Sequence, residues 1–407
     1  MSVKRESTSV VSSPPLDGVR VLDLATAMAG PYAATLLADL GASVIKVEKP
    51  LRGDLTRYSD QDVGGESSYF LGINRGKRGM TIDLRNPKGQ RIVKQLSNLV
   101  DVVIENFRPG MMESWNLGFD ELLRENPRLI YCSVSAYGGA AGYERAIGND
   151  MTCQAYSGMM DMTGEVTGSP QRVGAPVIDT ATAMQAALGI TAALFRRNVT
   201  GKGEHVKVSL IETAFAMMPN YVASVVNSDT SFHRMGLGHP RFAPYGGFQC
   251  LNDEWLVLGT FHNRSWRALC HTIGKPELLD DPRFSENWDR FENKEILHKT
   301  IGDVLAVRER DYWVTLLQSA DVPCAPILAA KDAIDRYAEL QPNFLQRHQH
   351  STLGEVSVQS SSIHFEREPF AGVERPAPSL GEDTVEILRE IGLNTQEIED
   401  LKRERVV

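Results

Sequence analysis

VRVLDLATAMAGPYAATLLADLGASVIKV, residues 19–47, carries the punctuation of a strand, a crossover helix and a second strand. Val19–Leu24 reads as a strand, Gly30-Pro31 opens a helix, Gly41 closes it, and Ser43–Val47 reads as a second strand. Proline early in a helix and glycine just past its end follow the asymmetry of helix termini, and a helical crossover implies parallel strands. The alternation continues: DVVIENF (101–107) and LIYCSVSAY (129–137) read as strands on either side of a helical MMESWNLGFDELLREN (111–126). The spacing predicts an α/β domain of Rossmann-like type.

Between Arg172 and Arg196 the chain reads VGAPVIDTATAMQAALGITAALF, in which the carboxylate of Asp179 is the single charge. Gly174 and Pro176 break the backbone, and from Thr180 the spacing of Met184, Leu188, Ile190 and Leu194 suits a mostly buried core helix over 180–195. Asp179 then has two readings. As an N-cap it accepts the first free N–H groups of the helix. As a reactive group it is an anion held by the helix terminus in poorly hydrated surroundings, able to attack an activated acyl carbon.

The turn Thr200-Gly201-Lys202-Gly203 precedes a strand HVKVSL (205–210) and a helix over 211–226. From about 228 the texture changes: Gly236, Gly238, Gly246 and Gly247, a hairpin with Asn252-Asp253 at its turn, and helices over 264–273 and 309–319 read as a smaller inserted α+β domain, 228–329. A strand near 355–365, the linker EREPFAGVERPAPSL (366–380) and a helical segment 382–405 return the chain to the large domain, built from 15–227 and 330–407. Residues 1–14 are polar and read as a disordered leader without the apolar centre of a signal peptide.

Composition narrows the partners. The chain has 407 residues, 42% hydrophobic and 23% charged, enough to bury two cores, and its net charge of −9 argues against general nucleic-acid affinity. Five scattered cysteines without a CxxC pair fit a reducing, cytoplasmic compartment, and no membrane partner is expected. There is no GxGxxG after the first strand, and 200–203 lacks the spacing of a phosphate-cradling loop, so the alternation does not imply a dinucleotide. No histidine precedes His205, so no Ser–His or Cys–His pair is expected within the N-terminal half, and no cluster has metal-ligand spacing. Lys46 and Lys49, then Arg75, Lys77, Arg78 and Arg85, and Arg108 gather near strand ends, where cations suit a polyphosphate, although each also reads as a solvated surface charge.

Taken in order, LDGVRVLDLATAMAGPYAATLLADLGASVIKVEKP (16–50), NRGKRGMTIDLRNPKG (74–89), ENFRPG (105–110), NDMTCQAYSGMM (149–160), GAPVIDTATAM (174–184), TGKGEHVKVSL (200–210), HPRFAPYGGF (239–248) and PSLGEDTVEILREIGL (378–393) resemble the family III CoA-transferases. That group includes formyl-CoA, carnitine and succinyl-CoA-dependent dicarboxylate transferases. The resemblance implies that Asp179 is the nucleophile, and that Ala27, Met28 and Ala29 line the CoA and acyl site, with Met28 where a glutamine is frequent. It places Lys49, Ile82 and Arg85 near the CoA adenine and phosphates, Asn106, Phe107 and Arg108 against the nucleotide or pantetheine, and Asp150 close to the thioester.

Two departures stand out. Ser114-Trp115 follow ENFRPG where some relatives carry a basic residue, and the flap GLGHPRFAPYGG (236–247) has His239 and Arg241, beside Gly238, where the formyl-CoA type has glycines. His239 and Arg241 either pair with the far carboxylate of a dicarboxylic acid or simply stabilise the flap. The resemblance further implies CoA thioesters as substrates with no tightly bound cofactor or metal, and an interlocked-ring homodimer. Two other outcomes fit the same blocks: 2-methylacyl-CoA racemisation, which pairs the Asp150-type acid with an upstream histidine absent here, and a catalytically silent CoA-binding protein.

Overall fold

A computed structural model describes residues 13–60, 63–143, 146–366, 372–373 and 375–407. Residues 1–12 of the expected disordered leader and part of the 366–380 linker lie outside the described residues. The chain forms two compact units: 1–157 with 174–223 and 341–407, and 158–173 with 224–340.

The first unit is built on a six-stranded parallel sheet in the order β3-β2-β1-β4-β5-β6. Its strands are β1 Arg20–Asp23, β2 Ser43–Glu48, β3 Lys77–Thr81, β4 Val102–Glu105, β5 Ile130–Ser135 and β6 Glu204–Ser209. This is the doubly wound order expected from the alternation, and the strand sequence reverses beside β1. The helix Ala29–Ala38 provides the first crossover. It starts so close to β1 that a Cβ on Gly30 would stand 2.3 Å from the Ala25 Cβ, which is why a glycine opens it. Leu22, Leu24, Met80, Val103, Tyr131 and the C-terminal Ile387, Leu388, Ile398 and Leu401 form one buried cluster, so the end of the chain completes the core begun by β1.

Several expected elements are divided. The helix expected over 111–126 is two, Met111–Ser114 and Phe119–Glu125, because Asn116 takes a left-handed φ of 56° and turns Leu117 into the core. That over 211–226 breaks into Leu210–Ala216 and Pro219–Asn227, Pro219 having no N–H to continue the ladder. The segment 382–405 divides at Gly392 into Thr384–Glu390 and Thr395–Arg403. The strand expected near 355–365 is β11, Gly354–Gln359, paired antiparallel with β10, Leu345–His350.

The helix expected over 180–195 runs Val177–Thr200 and is not mostly buried. Ile178, Thr182, Ala186, Ile190 and Leu194 face the unit's interior, whereas Met184, Leu188, Phe195 and Val199 are 52%, 65%, 75% and 80% exposed. The apolar positions of this helix therefore form two stripes, one of them outward.

The second unit has a three-stranded antiparallel sheet, β7 Tyr245–Gln249, β8 Trp255–Gly259 and β9 Cys324–Pro326. Asn252 and Asp253 both have positive φ, the requirement of the tight turn between β7 and β8. Helices Asn263–Thr272, Lys294–Leu305 and Arg310–Ser319 bury Trp266 with Leu269 and Cys270, Leu297 with Ile301 and Leu305, and Trp313 with Leu317, at helical spacing. The stretch 158–173, read from sequence as part of the large domain, groups with this unit because Asp161 accepts from Arg234 at 2.6 Å and from His233 at 3.0 Å, while the Gly164 carbonyl accepts the Gly236 N–H.

Candidate active site

Beyond the end of β1 the chain turns through Leu24–Met28 before entering its helix, at the point where the strand order reverses and ligands of doubly wound sheets bind. Ala27 lies at φ 63°, an uncommon conformation for a residue with a Cβ, and the surroundings hold it there. Its N–H donates to the Asp54 carboxylate at 3.2 and 3.3 Å. Lys46 Nζ donates to the Ala25 carbonyl at 2.9 Å and lies 3.3 Å from Asp54 and 3.8 Å from Asp23. Lys77 Nζ donates to Asp23 (2.8 Å), the Pro31 carbonyl (2.7 Å) and Asn74 Oδ1 (2.8 Å).

Both lysines are fully buried, so neither is a surface cation for a polyphosphate as their positions in the sequence allowed. Arg75, likewise buried, pairs with Asp39. Burial works against the Lys46 ammonium, but Asp23, Asp54 and Glu48 outweigh it and hold its pKa above the ordinary value. For Lys77 burial wins over Asp23, and the pKa falls to about 8.

The opposite side of the turn is latched by Asn106, whose Oδ1 accepts the Thr26 N–H at 2.8 Å and whose Nδ2 donates to the Thr26 carbonyl at 2.6 Å. Its amide is thus spent on the turn, joining the loops after β1 and β4. A cavity of about 280 Å³ opens here, lined by Leu24, Thr26, Lys49, Ile82, Arg85, Phe107 and Trp115 among others. Lys49 and Arg85 are exposed at it, and Arg108 is exposed one residue past Phe107. Trp115 meets Phe107 edge to face at 5.2 Å and makes part of the wall.

A second cavity, about 610 Å³, is lined by Met28, Tyr69, Thr180 and residues of β11, so the turn 26–28 contributes Thr26 to one cavity and Met28 to the other. Ala29 is buried, 3% exposed. Tyr69 is a residue the sequence did not single out. Burial together with the charges of Asp179, Asp54 and Asp150 pushes its phenol up to about 12, so it stays a proton-bearing donor among three carboxylates.

Asp179 is not the N-cap. The helix begins at Val177, which puts Asp179 in its first turn, and the capping acceptor comes from outside it. Asp150 Oδ1 receives the N–H groups of Ile178 (2.7 Å) and Asp179 (3.2 Å), and its Oδ2 receives Gln154 Nε2 at 2.6 Å. Both oxygens of Asp150 are therefore engaged by protein donors. Among the described residues no hydrogen bond reaches the half-buried Asp179 carboxylate. Burial, reinforced by the charge of Asp150, pushes it up to about 6 rather than letting the helix terminus hold it low. At neutral pH it is a poorly hydrated and mostly ionised carboxylate, the state a nucleophile requires.

In the second unit, Gly238 closes a turn onto the Met235 carbonyl, and His239 Nδ1 accepts the Arg241 N–H at 3.0 Å. The His239 ring packs against Phe242 and Tyr245, and burial followed by the Arg241 charge lowers its pKa, so it is neutral at pH 7. His239 thus braces the flap, and Arg241 is the cation there, exposed to solvent. A Ser–His contact also forms that the order of the chain did not suggest: Ser133 Oγ lies 2.9 Å from His205 Nε2, brought together by the β5–β6 register.

The sequence model of CoA-transferase family III matches residues 16–384. The succinyl-CoA:glutarate CoA-transferase of Mus musculus is 34% identical over 388 residues, 95% of this chain and 88% of that protein. The succinyl-CoA–D-citramalate CoA-transferase of Chloroflexus aurantiacus is 33% identical over 400 residues, 97% and 98% of the two chains. A crystal structure of a CAIB/BAIF family protein from Brucella suis superposes with a TM-score of 0.83 at 32% identity, covering 93% of this chain and all of the other. Agreement that extends along both sequence and fold makes this chain a member of CoA-transferase family III, an enzyme that handles CoA thioesters.

Proposed function

We infer that the protein transfers CoA from an acyl-CoA donor, with succinyl-CoA the first to test, to a carboxylic acid acceptor of the dicarboxylate class. The observation that carries this reading is Asp179: a half-buried carboxylate raised to about 6, beside the second cavity through its neighbour Thr180. The acceptor class rests on the activities named for the glutarate and citramalate relatives and on Arg241 as the flap's free charge.

In the proposed cycle an Asp179 oxygen attacks the thioester carbonyl, the C–S bond breaks, and a mixed anhydride and CoA thiolate result. The thiolate attacks the aspartyl carbonyl of that anhydride, releasing the donor as its carboxylate and leaving an aspartyl-CoA thioester. An acceptor carboxylate attacks this thioester and expels the thiolate, which then takes the acceptor acyl group and restores Asp179. The Ala27 N–H is already given to Asp54, which leaves those of Met28 and Ala29 as the turn's donors to developing oxyanions. A donor-by-acceptor activity matrix tests the substrate assignment. Turnover confined to monocarboxylate acceptors would remove Arg241 from it.

Asp150 acts through Asp179 in this scheme. Asp150→Asn keeps an acceptor for the helix N–H groups but removes the like charge, so the acid limb of the kcat/KM profile is expected to move to lower pH. Asp150→Ala is expected to lose in addition about 1–2 kcal/mol of stability by leaving the first turn uncapped. A limb that stays in place in Asp150→Asn assigns the whole shift of Asp179 to burial.

The outward stripe Met184, Leu188, Phe195 and Val199 supports a homodimer, for which the interlocked-ring arrangement is the proposed form. Two copies in light scattering, reduced to one by Leu188→Glu with Phe195→Glu, is the expected result. Five free cysteines suit a reducing, cytoplasmic compartment.

A further inference from the structure

Buried carboxylates in the first unit have evident partners: Asp23 has Lys77, Asp39 has Arg75, Glu48 has Arg57, Asp54 has Lys46 and Asp150 has a helix N-terminus. Among the described residues Glu105 has neither a cation nor a helix terminus, although it is 7% exposed and sits at the carboxyl end of β4. An unpaired buried acid is costly and calls for a role.

Its position follows from strand period and register. Val103 and Glu105 share one face of β4, and the register places Tyr131 and Ser133 of β5 opposite them. Ser133 hydrogen-bonds the Glu105 carboxylate on one side and His205 of β6 on the other, at 2.9 Å. His205 is stacked on Phe119 at 4.6 Å and half-buried, so the row runs from beneath the cavity toward solvent. On its other side Glu105 Oε2 accepts the Phe107 N–H at 2.9 Å, two residues along, and Phe107 with Trp115 walls the first cavity. The turn 105–108 is thus held from two directions, by Asn106 on Thr26 and by Glu105 on Phe107.

We propose that Glu105 is a proton-responsive positioning residue: its ionised carboxylate grips the Phe107 N–H and shapes the cavity wall for the nucleotide end of CoA, and its protonation, reached along Ser133 and His205, loosens that wall. The placement of CoA in this cavity rests on the functional reading above. The groups facing Glu105 are Tyr131, Cys132 and Ser133 of β5, His205 with Lys207 beside it on β6, and Glu113 of the helix Met111–Ser114. None is a cation in contact with it. Burial pushes the Glu105 carboxyl up to about 7, against the hydrogen bonds of Ser133 and Phe107, so the change falls near neutral pH.

The test compares the full chain with its Glu105→Gln variant, using dephospho-CoA as the probe because it lacks the phosphomonoester that also titrates near neutrality. In calorimetric titrations from pH 5.5 to 8.5 the wild type is expected to bind roughly fivefold more weakly below pH 7 than above it, the difference between a charged and a neutral acceptor. The variant is expected to stay flat at the weak value, with KM for the acyl-CoA raised and kcat nearly unchanged. Ser133→Ala, which removes a donor holding Glu105 down, moves the wild-type midpoint to higher pH. It serves as the second variant if Glu105→Gln does not fold.

Melting curves report the proton without any ligand. A folded-state pKa above the unfolded value means that stability contributed by the proton is full below about 4.5 and is lost as pH rises through 7, so the wild type falls behind Glu105→Gln across that window. If this window appears but dephospho-CoA binding is equally flat in both proteins, the positioning role is overturned while CoA binding stands. If neither protein binds the probe at any pH, the placement of CoA in this cavity fails and the proposal with it.

Discussion

Asp179→Ala is expected to abolish CoA transfer, lowering kcat by on the order of 10³-fold or more, since in the proposed cycle both covalent intermediates form on the Asp179 carboxylate. Intact-mass analysis after incubation with an acyl-CoA should show a hydroxylamine-labile CoA adduct on the wild type and none on the variant. The fold should survive, because Asp179 is tied to Asp150 through its backbone N–H, which alanine retains. The variant should in fact be the more thermostable of the two at neutral pH. The folded-state pKa of Asp179 is raised, so the wild type loses relative stability as pH rises from about 4 through about 6, and alanine is free of that loss. An adduct that persists in the variant would move the nucleophile elsewhere. A variant that is inactive but also less stable at pH 7 would show that Asp179 is structural.

Lys77→Met should have the largest effect on stability. The ammonium satisfies Asp23, the Pro31 carbonyl and Asn74, all in the interior, and removing it leaves the buried Asp23 carboxylate with one cation among the described residues, Lys46, 3.8 Å away. Breaking a buried pair from one side costs roughly 3–5 kcal/mol, a large part of the stability of an ordinary domain. The loss is expected to appear as a lower denaturant midpoint at constant slope. Because Asp23 also accepts the Ala25 N–H, the variant should loosen the turn 24–28 and raise KM for the acyl-CoA more than it lowers kcat. Adding Asp23→Asn should recover part of the loss, since the two sites are coupled. A cost below about 1 kcal/mol would mean that water reaches Asp23 and that the lysine is not a closed part of the core.

The βαβ unit of 19–47 was legible because its signals are local: strand-like segments at each end, Gly30-Pro31 at the helix start and Gly41 after its end. β3 was not, since KRGMT opens on two charges that read as ligand-binding or solvated surface cations. Its lysine becomes interior only when β2 lies on one side and the helix Ala29–Ala38 overhead, which pattern along a single chain does not record. Asp179 drew attention as a lone charge in a long apolar stretch, yet its capping partner, Asp150, lies 29 residues earlier and no local signal joins the two. Ser133 and His205 are separated by 72 residues and meet through strand register alone.

The sequence by itself determined every strand of the parallel core except β3, the helix that follows the first of them, the alternation that orders them, and a family whose members work on CoA. Those properties follow from period, turn chemistry and residue order, which act over a few positions. The tertiary structure alone decided which charges are buried and what each is paired with: Lys46 and Lys77 beneath the turn, Asp150 at the helix end, and Glu105 with no counterion among the described residues. A charge's energy depends on its distance from other charges and from water, and in this fold those distances are set by strands that lie far apart in the chain.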